Sequence, residues 1–114
     1  MTQVFVFGSN LAGRHGKGSA LEAVRHWGAV YGQGEGRQGD SYAIPTKDER
    51  LRVLPLYIIQ YHVAVFIQYA RAHPECQFQV VPIGCGLAGY KPCQIAPFFD
   101  HCPNNVGLPY EFMY

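Results

Sequence analysis

The residues whose types and spacing bear on chemistry cluster in two glycine runs and one lysine. "VVPIGCGLAGY" (residues 80–90) sets Gly84, Gly86 and Gly89 in the order G-x-G-x-x-G directly after an apolar run. "GSNLAGRHGKG" (residues 8–18) also follows an apolar run and brings Gly16 and Gly18 just ahead of a helix-like stretch. Small residues let backbone N–H groups approach an anion, and a helix start behind them adds favourable charge. Two such loops could hold a diphosphate from two sides. Arg14 and Arg37 are candidates for phosphate contact. Lys17 could touch an anion, and His15 could do so or transfer protons near neutral pH; both are read as solvent-facing. Cys85 is either a reactive thiolate or a small packing residue, and packing is the favoured reading. Tyr90 either stacks on a base or ribose or closes the core.

These residues need elements to position them. "QVFVF" (residues 3–7) reads as a buried strand stopped by Gly8. "SALEAVRHW" carries Ala20, Leu21, Val24 and Trp27 at helical spacing, with Ser19 a possible cap and Gly28 the stop. "YGQGEGRQGD" (residues 31–40) reads as a mobile loop, and "SYAI" as a short strand closed by Pro45. Asp48 and Glu49 are expected near the start of the next helix, where the dipole favours acid. That helix carries Ile59, Val63, Phe66, Ile67 and Ala70 on one stripe, and Pro74 stops it. "FQVVPI" (residues 78–83) reads as a strand. Pro92 suits the first turn of a third helix that buries Ile95, Phe98, Phe99 and Cys102. The tail "NNVGLPYEFMY" reads as a short edge strand followed by an apolar end, covered by the fold or by a dimer contact. Strands alternating with helices imply an α/β fold with a small, largely parallel sheet. Ligands in such sheets bind beyond the carboxyl ends of the strands. Both glycine loops follow strands, so they should converge on one cleft.

Totals narrow the classes. The chain has 114 residues, which suits one domain over residues 1–114. A hydrophobic share of 48% with 15% charged residues argues against disorder. The formal net charge of +1 provides no broad basic field for nucleic acid. No secretory signal and no membrane span is read, since the longest apolar stretch is broken by Gln60, His62, Gln68 and Arg71. A cytoplasmic location with reduced thiols at Cys76, Cys85, Cys93 and Cys102 is the resulting expectation. No C-x-x-C pair occurs, and Cys93, His101 and Cys102 make only a weak metal candidate, so no metal or cofactor is expected. A dinucleotide fold would need further strands and an acid at a strand end after Gly89; the acids there are Asp100 and Glu111, at a helix end and in the tail.

With "IPTK" (residues 44–47) between the two loops, the sequence resembles the macrodomains. The likeness is to the branch of DNA-ADP-ribosyl glycohydrolase antitoxins and ADP-ribosyl-glutamate hydrolases. "NLAGRHGKGSA" matches that branch's N-x-x-G-x-x-G-x-G-x-A, "IPTK" its strand ending in P-T-K, and "PIGCGLAG" its second loop. The resemblance implies a compact macrodomain-like α/β/α sandwich with a mostly parallel or mixed sheet. It implies a ligand of ADP-ribose type, with Asn10 facing the distal ribose and Gly16, Lys17 and Gly18 along the diphosphate. Gly84, Cys85, Gly86, Leu87, Ala88 and Gly89 would wrap it from the other side, with Tyr90, the stacking candidate, next in the chain. Lys47 would be catalytic, its amine attacking C1″ of ADP-ribose; desolvation in a cleft favours the uncharged, nucleophilic form of an amine. The implied partner is ADP-ribose or a related nucleotide, free or on an ADP-ribosylated macromolecule. The glutamate-hydrolase type carries an acid where this chain has Ala88, whereas the DNA-hydrolase type often has a small residue there, which favours that type or no catalysis; an aromatic residue usually follows P-T-K closely where this chain has "DERLR". The alternative is a non-catalytic binder that reads or sequesters an ADP-ribose-like signal.

Overall fold

A computed structural model of the chain describes residues 1–113. The elements run β1 (Thr2–Asn10), α1 (Gly18–His26), β2 (Gly36–Gln38), β3 (Ser41–Lys47), α2 (Leu56–Ala72), β4 (Cys76–Val80), α3 (Pro92–Ile95) and β5 (Val106–Gly107). A 3₁₀ turn, Ala96–Phe99, extends α3, and another, Tyr110–Phe112, follows β5. The five strands form one mixed sheet in the order β2-β3-β1-β4-β5. β1 pairs parallel with β3 and β4, β4 pairs parallel with β5, and β2 is antiparallel to β3.

Alternation along β1 decides what each face of the sheet holds. Val4 and Val6 point to one side, where they join Tyr42, Ile44, Phe78 and the α2 stripe Ile59, Val63, Phe66, Ile67 and Ala70. α3 adds Ile95 to this layer, and the turn after it adds Phe99. Phe5 and Phe7 point to the other side, where Phe7 packs with Ala43 and with Ala20 and Ala23 of α1. Small residues on α1 let it lie close to the sheet, and Trp27 at its end stacks on Phe5 with centroids 5.4 Å apart. The result is a three-layer α/β/α sandwich with a core on each face.

Several elements differ from their sequence reading. β1 continues through Gly8 to Asn10. The stretch read as a loop at residues 31–40 contains β2, which forms a hairpin with β3. β3 runs through Pro45 to Lys47, because its pairing with β1 does not need a proline N–H at that position. α2 starts at Leu56 behind Pro55, not near Asp48. Asp48 finds closer donors: its carboxylate accepts the N–H groups of Arg50 and Arg52 at 2.9 Å each and the Arg52 Nε at 3.1 Å. The Arg52 backbone bond, aided by Arg50 and the Arg52 side chain, holds that carboxyl below its ordinary range. β4 ends at Val80, before Pro82 and Ile83. The short edge strand in the tail is present as β5, and Phe112 is buried while Tyr110 and Met113 are exposed. The part of the apolar-tail reading that falls on Tyr114 lies outside the described residues. Among the described residues no helix is long and apolar enough to cross a membrane.

Candidate functional site

The crossover directions open a crevice. α1, which follows β1, packs on the Phe7 face, whereas α2 and α3, which follow β3 and β4, pack on the Val6 face. The loops leaving the central strand and its two parallel neighbours therefore diverge at the carboxyl ends, where open α/β sheets make their ligand sites. A cleft of about 830 Å³ lies there, in the size range of small-molecule sites.

The first loop is built around Asn10. Its Oδ1 accepts the Arg14 N–H at 2.9 Å, its Nδ2 donates to the Arg14 carbonyl at 3.1 Å, and its own carbonyl accepts the Gly13 N–H at 2.9 Å. Asn10 borders the cleft, but its amide first serves as a bracket for this turn; one Nδ2 hydrogen is left for a ligand. A second segment buttresses the loop from behind. The Ser9 hydroxyl donates to the Gly34 carbonyl, and the Gly32 N–H donates to Gly13 at 2.8 Å. A Cβ on Gly34 would collide with the Asn10 carbonyl and the Leu11 backbone.

Gly16, Lys17 and Gly18 carry this loop into α1 along the wall of the cleft. Ser19 does not cap the helix; the N-cap is Lys17, whose side chain has no acceptor to offer. Among the described residues, the N–H groups of Gly18, Ser19 and Ala20 consequently have no hydrogen-bond acceptor. The second loop closes on itself through Cys85 N–H to Pro82 at 3.3 Å, Gly89 N–H to Gly86 at 3.0 Å and Tyr90 N–H to Gly84 at 2.8 Å. That leaves the N–H groups of Gly86, Leu87 and Ala88 equally without an acceptor among the described residues. Gly86 faces open space, since a Cβ built there meets no atom within 4 Å.

Lys47 ends β3 directly opposite Asn10. The register slips between Ser9 and Asn10 and leaves Thr46 unmatched, as in a β-bulge. Thr46 and Lys47 both line the cleft although they are consecutive residues, which regular alternation would forbid. The Lys47 carbonyl accepts the Leu11 N–H at 3.0 Å, and the Asp48 turn fixes the chain just beyond it.

The structure thus brings Asn10, Gly16, Lys17, Gly18, Lys47, Gly84, Cys85, Gly86, Leu87 and Ala88 to one cleft. Gly89 and Tyr90 are outside its lining. The Tyr90 hydroxyl donates to the Leu54 carbonyl at 2.6 Å, so this ring closes the core. Arg37 is also elsewhere: on β2 it donates to Tyr69 at 3.0 Å and to the Gly39 carbonyl at 2.7 Å, towards the other end of the sheet. Arg14 does line the cleft. His15 is not solvent-facing but 1% exposed, packed edge-on to Phe7. Burial pushes the Cys85 thiol pKa up and Glu111 adds to it, which favours the neutral thiol over a reactive thiolate. All four cysteines are free, and among the described residues no three acidic, cysteine or histidine side chains are grouped to hold a metal ion.

Several lining residues were missed by sequence reasoning, Glu111 and Tyr31 among them, together with Thr46 and Leu51. Glu111 reaches the cleft because Phe112 beside it is anchored on Phe99, with centroids 5.6 Å apart. Tyr31 reaches it from the segment that buttresses the first loop. Neither position carries a periodic signal; only the return of a distant segment puts it there. No protein-family model matches the chain, and comparisons with curated proteins and with solved structures find no match either.

Proposed function

We propose that the cleft binds ADP-ribose or a related nucleotide, with the diphosphate at the seam between the two loops. The observation that carries this reading is the pair of backbone N–H clusters, at Gly18–Ala20 and at residues 86–88, that border one cleft without acceptors among the described residues. Unpaired N–H groups next to a helix N-terminus favour an anion. Arg14, Lys17 and Lys47 bring three cationic side chains to the same lining, against the single carboxylate of Glu111. The three motif blocks that resemble those of macrodomains support the same ligand class.

Within this reading Lys47 is the nucleophile of an ADP-ribosyl glycohydrolase. Its amine attacks C1″, the bond to the linked group breaks with its electron pair, and the leaving group takes up a proton. Water then cleaves the lysine adduct and releases ADP-ribose. The second reading is a binder that reads or sequesters the nucleotide without turnover; Ala88, in the lining where the glutamate-hydrolase type has an acid, suits this reading and the DNA-hydrolase type alike. Calorimetric titration separates both from a cleft of other use. ADP-ribose should bind in the micromolar range, with NAD weaker; absence of heat with ADP-ribose at millimolar concentration would overturn the proposal.

A further inference from the structure

Tyr31 is 63% exposed, yet it lines the cleft on a segment tied down at several points. The Val30 N–H donates to Gln38 Oε1 at 2.8 Å, the Gly32 N–H to Gly13 at 2.8 Å, and the Gln33 N–H to Val30 at 3.0 Å. His15 stands behind the ring, edge-on with centroids 6.3 Å apart, and is itself set against Phe7 at 5.2 Å. Its Nε2 faces two acceptors, the Gln33 carbonyl at 2.8 Å and Gln38 Oε1 at 3.3 Å, so Nε2 carries the proton. Its Nδ1 is buried with no hydrogen-bond partner among the described residues. A buried unpaired nitrogen costs free energy. A hydrophobic side chain would fill the same space without that cost, but it would not tie residues 33 and 38 together. The chain Phe7, His15, Tyr31 runs from the sheet to the cleft and restrains a ring that an isolated loop tyrosine would leave free to turn.

We infer that Tyr31 is a stacking platform for a planar ring of the ligand. The inference rests on the nucleotide reading above and adds to it the group that gives affinity beyond the phosphates. Two rings qualify by chemistry: the adenine of the nucleotide, or an aromatic group attached at C1″. Stacking on an aromatic face is worth roughly five- to over a hundredfold in affinity per base.

The test is calorimetry of wild type, Tyr31→Phe and Tyr31→Leu with ADP-ribose and with NAD, alongside thermal melts of each protein. The exposed position should leave the melting temperature unchanged. Tyr31→Phe should bind within about twofold of wild type, while Tyr31→Leu, which keeps apolar bulk but loses the π face, should lose about tenfold or more. Loss with ADP-ribose identifies adenine as the stacked ring; loss confined to NAD identifies the group at C1″. The inference is overturned if Tyr31→Leu binds both ligands as wild type does, or if Tyr31→Phe loses as much as Tyr31→Leu. If the wild type binds neither nucleotide, the nucleotide reading itself fails and this inference falls with it, an outcome that the variants cannot mimic.

Discussion

Lys47 is held through its backbone: its carbonyl is tied to Leu11, and the Asp48 turn follows at once. Among the described residues the side chain has no hydrogen bond or ion pair, so β3 and the register slip at Thr46 set its place. Removing it should leave the cleft intact. In the hydrolase reading, Lys47→Ala abolishes release of ADP-ribose from a modified substrate while calorimetric affinity for ADP-ribose stays within about fivefold, the worth of one exposed charge contact. Turnover by the alanine variant would rule out the lysine mechanism. Gly86 supports a complementary test. A Cβ there touches nothing in the protein, so Gly86→Val should change the unfolding free energy by no more than about 1 kcal/mol. It should nevertheless remove ADP-ribose binding by keeping the ligand off the Gly86 and Leu87 N–H groups. An unchanged Kd would take this loop out of the site. These two positions were legible in the sequence because they sit in short, ordered motifs. His15 was not: nothing in a glycine-rich loop signals burial, and its place depends on Gln33 and Gln38, which approach from the segment leading into β2.

At the scale of elements, the best-read feature was α2, whose stripe of Ile59, Val63, Phe66, Ile67 and Ala70 is buried throughout. A long amphipathic helix carries its own signal in its period. β2 carried none, because Gly36, Arg37 and Gln38 show no apolar alternation and become a strand only through pairing with β3. The start of α2 was misread because Asp48 prefers the nearer Arg50 and Arg52 N–H groups to a helix terminus. The third glycine segment was read as mobile, but its use is tight packing of backbone on backbone behind the first loop. Gly34 lies against the Asn10 carbonyl with no room for a Cβ, so Gly34→Ala should destabilise the protein by about 1–3 kcal/mol in denaturant unfolding. Because the collision pushes on Asn10 and Leu11, the same variant should also weaken ADP-ribose binding. Full stability in that variant would contradict the packing described for this segment.

At the scale of the whole molecule, the order of strands and helices was legible except for β2, and with it the end of the sheet where the loops meet. The contributions of Tyr31 and Glu111 were not, since both arrive through tertiary return of segments that lack a pattern. The two cores also make the fold sensitive to alkali. Burial, with smaller contributions from Glu35 and Tyr69, pushes the Tyr42 phenol up to about 12. A folded-state value above the ordinary value of about 10 means that the contribution is complete below about pH 10. It is lost as pH rises from there through the folded value. Stability should therefore fall between those limits, and Tyr42→Phe should flatten the decline; identical alkaline profiles would assign the loss to other groups.

The central claim is that two loops distant in sequence form one nucleotide site. Backbone amide NMR during titration with ADP-ribose tests it directly. The account predicts that the signals of Gly18, Ser19 and Ala20 shift together with those of Gly86, Leu87 and Ala88, following one binding curve. Shifts in only one loop, or in neither, would contradict it.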